Sequence, residues 1–93
     1  MSPRPTRALP AELCEDWPEV PCDDPVAEKA RQLVLNLREA IGERSIREIA
    51  TMTGVDRATV GAVLQGKSWP DIVTLAKLEH ELGPLWPRNF SAP

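Results

Sequence analysis

The chain has no tyrosine, one phenylalanine, one histidine and two cysteines among its 93 residues. It also lacks any apolar run approaching the length of a signal or membrane segment, with charges spread throughout. A soluble cytoplasmic protein without a membrane partner is therefore expected. Metal chemistry has few ligands to draw on: Cys14 and Cys22 are separated by seven residues with no histidine beside them, and His80 lies far along the chain. Zinc would require four ligands at tighter spacing. No metal and no cofactor is expected, and the cysteines read as two reduced thiols, a disulfide being the remaining alternative. Cysteine–histidine and serine–histidine arrangements, paired carboxylates in a plausible pocket and a glycine-rich phosphate loop are all missing, so the chain does not read as an enzyme. Period-two alternation bounded by hairpin turns is missing too, which leaves a sheet without a source.

Positive charge is also scarce. The formal net charge is -3, an unfavourable start for a phosphate-binding protein. The distribution matters more than the total. Up to Glu28 there are two arginines against seven acids, Glu12, Glu15, Asp16, Glu19, Asp23, Asp24 and Glu28, while the remainder holds nine basic and seven acidic residues. That second part permits nucleic-acid binding without demanding it. Six of the ten prolines fall in the first 25 residues, too closely spaced for a useful helix. Residues 1–24 read as an acidic, proline-rich leader, extended or disordered, whose Leu9, Leu13, Trp17 and Val20 can still lie against the adjoining domain.

What is present is helical periodicity. Asp24 followed by Pro25 is a helix start, the carboxylate accepting backbone amides while proline takes a position that needs no donor. Val26, Ala30, Leu33, Val34, Leu37 and Ile41 then recur at three- and four-residue intervals until Gly42. Ser45 with Glu48 forms a capping box for a second helix that buries Ile46, Ile49 and Ala50 and ends at Gly54. Asp56 caps a third, from Arg57 to about Gln65, with Val60, Val63 and Leu64 inward and Gly66 beyond. Pro70 and Asp71 open a fourth, with Ile72, Leu75, Ala76, Leu78 and Leu82 inward before Gly83 and Pro84. The fold class is all-α, four to five short helices around one core over residues 25–87, with residues 88–93 as a tail.

The second and third helices are joined by Thr53, Gly54, Val55 and Asp56, too short a link for an antiparallel hairpin, so they must cross steeply. Ala50 is small where they meet, Gly54 can take the left-handed backbone the turn needs, and Val55, Val60 and Val63 fix one helix on the other. The outer face of the third helix is then free: Arg57, Ala58, Thr59, Gly61, Ala62 and Gln65, slim enough for a groove about 12 Å wide. The run Ile46 to Gly66, IREIATMTGVDRATVGAVLQG, resembles the helix-turn-helix of the lambda repressor and Cro family. The continuation GKSWPDIVTLAKLEHELG, residues 66–83, is similar to the family's segment after its recognition helix, so the resemblance covers about residues 25–83. Arg57 to Val60 also resembles lac-repressor-type headpieces, but those begin at the chain terminus and precede a large sensor domain.

The resemblance implies a sequence-specific double-stranded DNA-binding regulator, a repressor of phage, plasmid or host type. It implies base reading by Arg57, bidentate to guanine, with Ala58, Thr59 and Ala62 beside it. It implies phosphate contacts at Arg44, Ser45 and Arg47 around the second helix's N-terminus, and at Gln65, Lys67 and Ser68 beyond the third helix. One departure stands out: Ile46 occupies a position where the family often has glutamine, and it cannot donate to phosphate. A homodimer on a palindromic operator is the expected assembly, with Leu82, Leu85, Trp86 and Phe90 as its candidate seam. The different-class alternative is a protein-interaction module of the same fold, an antitoxin or anti-repressor whose acidic leader engages a basic partner. A third, compatible idea has the leader folding over the basic helix face and competing with DNA.

Overall fold

The computed structural model describes residues 8–87; Phe90, assigned to the tail and the candidate seam, lies outside them. Four helices, α1 (Pro25–Ile41), α2 (Ile46–Thr53), α3 (Arg57–Leu64) and α4 (Ile72–Leu82), come after a single 3-10 turn at Pro10–Leu13, and no strand occurs among the described residues. The all-α expectation holds, and each α-helix starts where the sequence places a cap. Asp24 accepts from Ala27 N at 2.8 Å, Ser45 Oγ from Glu48 N at 3.1 Å, Asp56 from Ala58 N at 3.0 Å and Asp71 from Thr74 N at 2.7 Å. That last bond holds the Asp71 carboxyl below its ordinary pKa.

One core joins the helices: Leu33, Val34, Leu37 and Ile41 of α1, Ile49 of α2, Val60 and Val63 of α3, Leu78 of α4, with Val55 and Leu85 from the links. Three helix faces match the sequence expectation except at single positions. In α1 Val26 is exposed and Ala27 buried; in α2 Ile46 is exposed and Thr53 buried; in α4 Ile72 and Ala76 point to water, Leu78 alone being fully buried. The common reason is position. Val26, Ile46 and Ile72 all sit in the first turn of their helices, outside the common core.

After α4 the chain turns at Gly83 and is pinned back. Glu79 Oε2 accepts from Leu85 N at 2.7 Å and Trp86 N at 2.9 Å, while Asn36 Nδ2 donates to Leu85 O at 2.8 Å. Leu85 is thereby 1% exposed and Leu82 half-buried against the core, so these two supply core rather than a dimer seam; Trp86 remains exposed.

Residues 8–24, expected as extended or disordered, contain no long helix, as their prolines require, but they fold back onto the domain. Trp17 packs on the core and its indole Nε1 donates to Leu64 O at 3.0 Å; Ala11 N donates to Gly66 O at 3.0 Å; Trp69 Nε1 donates to Ala8 O at 2.8 Å. Arg31 reaches Pro18 O at 3.2 Å and Arg38 pairs with Glu19 at 3.0 Å. Cys14 and Cys22 are joined as a disulfide, their Cα atoms 4.8 Å apart, which corrects the expectation of two free thiols. The prolines and turns between them bring the two ends of a short loop together, an approach that sequence spacing alone does not reveal.

Candidate nucleic-acid interface

The link between α2 and α3 is built from three devices. Gly54 adopts the left-handed conformation at φ 75°, ψ 11°, and its N–H donates to Ala50 O at 2.9 Å. Val55 is 5% exposed and plugs the angle between the helices. Thr53, buried, donates its hydroxyl to Ile49 O at 2.7 Å and accepts from Val55 N at 3.2 Å, closing the turn on itself. Sequence reasoning misses Thr53, because a threonine at a helix end gives no local sign of such a lock.

This turn leaves the first part of α3 in water. Arg57, Ala58 and Gln65 are exposed, Thr59 and Ala62 half-exposed, while Val60 and Val63 are buried on the opposite side. A cleft of about 450 Å³ runs along the turn, lined by Arg47, Ala50, Thr51, Gly54, Val55, Asp56 and Arg57. It brings Arg47 of α2 and Arg57 of α3 to one concavity. Neither guanidinium has an ion pair or hydrogen-bond partner among the described residues, and the same is true of the exposed Lys67 ammonium. Thr51, in the same cleft, is likewise missed by sequence reasoning.

The other phosphate candidates are placed differently. Arg44 donates to Ala40 O at 2.6 Å, to Ile41 O at 3.2 Å and to Met52 Sδ at 3.4 Å, so its guanidinium closes the C-terminus of α1. Ser45 is committed to its capping box: its hydroxyl accepts from Glu48 N at 3.1 Å and donates to Glu48 Oε1 at 3.3 Å. The Glu48 carboxylate therefore occupies the positive end of α2, where an anion was expected. Ser68 is half-buried, its hydroxyl 3.5 Å from Trp69 O. Arg57, Ala58, Thr59, Ala62 and Gln65 thus share the open face of α3, Arg47 faces Arg57 across the cleft, and Arg44, Ser45 and Ser68 hold local structure.

Residues 8–24 do not lie across this face. Their contacts are with α1, with the far end of α3 at Leu64 and Gly66, and with Trp69 beyond it, and Arg57 stays exposed. Among residues 8–24 nothing corresponds to the expected cover over the basic side.

A family model described as helix-turn-helix matches residues 36–85, more than half of the chain. The matched span takes in α2, its turn, α3 and α4. No curated protein and no solved structure matches the chain.

Proposed function

The chain belongs to the helix-turn-helix family of DNA-binding regulators, of the lambda repressor and Cro type, and from that membership we propose that it is a sequence-specific repressor that reads the major groove with α3. The observation that carries the proposal is the pairing of an uncovered α3 face with two unpartnered guanidiniums, Arg47 and Arg57, on one cleft. Arg57 stands in the first turn of α3, from which an arginine can donate two bonds to guanine O6 and N7. Ala58 and Ala62 offer methyl contacts to thymine, and Thr59 a hydroxyl. Arg47, Gln65 and Lys67 position the protein on phosphates, which fix register without specifying sequence. Arg44, Ser45 and Ser68 contribute through their backbone or by shaping the turns.

Repression results from occupancy: a protein seated in the groove excludes competing proteins from the same site. Two copies on a palindromic operator would place two α3 helices one DNA turn apart. Support for pairing comes from the apolar side chains left in water, Ile72 at 84% exposure and Val26 and Val73 at 63%. Selection of bound duplexes from a random pool tests both parts. An enriched inverted repeat with half-sites about 10 base pairs apart is expected. Absence of any enriched sequence would sink the proposal, and a motif without symmetry would remove the dimer.

A second reading, an interaction module of the same fold that engages a protein, is favoured by one observation. Glu48 sits at the end of α2 where the family resemblance implies phosphate, and the Ile46 side chain offers no donor. On that reading no duplex is selected and a basic protein partner is retained instead.

A further inference from the structure

We propose that the Cys14–Cys22 disulfide is a redox-operated clasp on the C-terminal end of α3, so that its cleavage by a dithiol weakens duplex binding. The proposal rests on the assignment of α3 as the reading helix.

An eight-residue helix has little stability of its own, and α3 carries a glycine, Gly61, in its middle. Its order therefore depends on the burial of Val60 and Val63 and on what holds its ends. Asp56 caps the N-terminal end. At the C-terminal end, where the last carbonyls have no partners within the helix, the leader supplies donors: the Trp17 indole N–H to Leu64 O and the Ala11 N–H to Gly66 O, both at 3.0 Å. The seat is close-fitting. A methyl group built on Gly66 would lie 2.7 Å from Trp17 Cε2 and 2.8 Å from the Ala11 Cβ.

Trp17 stands inside the loop closed by Cys14 and Cys22. The loop is anchored at its other end by the Cys22 N–H, which donates to Glu28 Oε1 at 2.8 Å, and by Arg31, which bridges Glu28 and Pro18 O. With the disulfide closed, the freedom of this loop is already restricted before the indole docks. With it open, the full ordering cost falls on that indole, on the Glu28, Arg31 and Arg38 contacts to the loop and on a few backbone bonds. Both cysteines are half-exposed and border a surface cleft of about 290 Å³ with Glu15, Val20 and Asp23, so a small thiol can reach them.

The chemistry is an exchange with a dithiol. One reductant thiolate attacks a sulfur of the Cys14–Cys22 bond, which breaks, giving a mixed disulfide and one free cysteine thiolate. The second reductant thiolate then displaces the remaining cysteine. Two electrons pass to the protein, two protons complete the two thiols, and the dithiol leaves as a disulfide.

The test compares the full chain oxidised, reduced with dithiothreitol, and as the Cys14→Ser/Cys22→Ser variant. Hydrogen exchange is read at the amides of Gln65, Gly66 and Lys67 and at the Trp17 indole, and affinity is read on a duplex recovered by selection. Reduction should lower protection at these positions and duplex affinity by about ten-fold or more, reoxidation should restore both, and the variant should match the reduced form and ignore dithiothreitol. Unchanged protection on reduction overturns the clasp, and so does lost protection with unchanged affinity. Collapse of helical circular dichroism on reduction overturns it as well, because the disulfide would then be a staple for the whole domain; if the variant alone fails to fold, the reduction and reoxidation of the parent chain decides. Failure of both redox forms to bind any duplex sinks the assignment of α3 instead, and the exchange data alone then decide the clasp.

Discussion

Arg57 and Glu28 mark two uses of charge at the scale of single residues. The Arg57 guanidinium is exposed and has no ion pair among the described residues, so it enters a groove without first breaking a pair with any of them. Arg57→Ala should cost about 1–3 kcal/mol on a selected duplex and relax preference at one base position, read by anisotropy against single-base variants. Glu28 is used inward. Hydrogen bonding to Arg31, together with the Cys22 N–H and Gln32, outweighs partial burial and holds its carboxyl at about 2, against an ordinary 4.5. A depressed carboxyl stabilises the fold above the unfolded value and loses that contribution as pH falls. The stability gap between the parent chain and Glu28→Gln should be about 2 kcal/mol above pH 5, after allowance for screening. It should shrink as pH falls from 4.5 toward 2, as thermal unfolding at several pH values would report; a gap unchanged over that range contradicts the assignment. This role of Glu28 was not legible in the sequence, where it counted only as the last of the seven acids up to position 28. Its partners are brought to it by the leader's return path.

At the scale of elements, the helices were legible because their ends are written locally. Asp24, Ser45, Asp56 and Asp71 each bond an amide within three residues, and Gly42, Gly54 and Gly83 come directly after the last turns. The leader was not legible in the same way. Its anchors are indole N–H groups that reach carbonyls 47 and 61 residues away, Trp17 to Leu64 and Trp69 to Ala8, and no local pattern encodes such a pairing. The disulfide is hidden for the same reason. Gly66 is where leader and helix meet, and its φ of 70° adds a second demand that only glycine meets freely. Gly66→Ala should destabilise the domain by about 1–3 kcal/mol and raise exchange at the Trp17 indole. A stable variant with an undisturbed indole would contradict the contact.

At the scale of the molecule, an acidic chain is proposed to bind a polyanion, and segregation of charge is what reconciles the two. Acids concentrate in the leader, whose residues 8–24 lie against α1 and the far end of α3, while Arg47, Arg57 and Lys67 stay open. Few phosphates are within reach of so few cations, so the logarithm of affinity should fall with the logarithm of salt at a shallow slope, about -3 per copy. A much steeper slope would require phosphate contacts beyond Arg47, Arg57 and Lys67. The site was half legible from sequence: the open α3 face came from periodicity and the Ser45 cap from its spacing to Glu48, whereas the employment of Arg44 in closing the end of α1 depended on geometry that spacing does not specify.

Backbone amide mapping by NMR, with a selected duplex added to the oxidised full chain, tests DNA reading by α3 most directly. The largest shifts should fall on Arg57, Ala58, Thr59 and Ala62, with smaller ones at Arg47, Gln65 and Lys67. Shifts centred instead on the apolar surface of Val26, Trp69 and Trp86, with α3 unmoved, would contradict it.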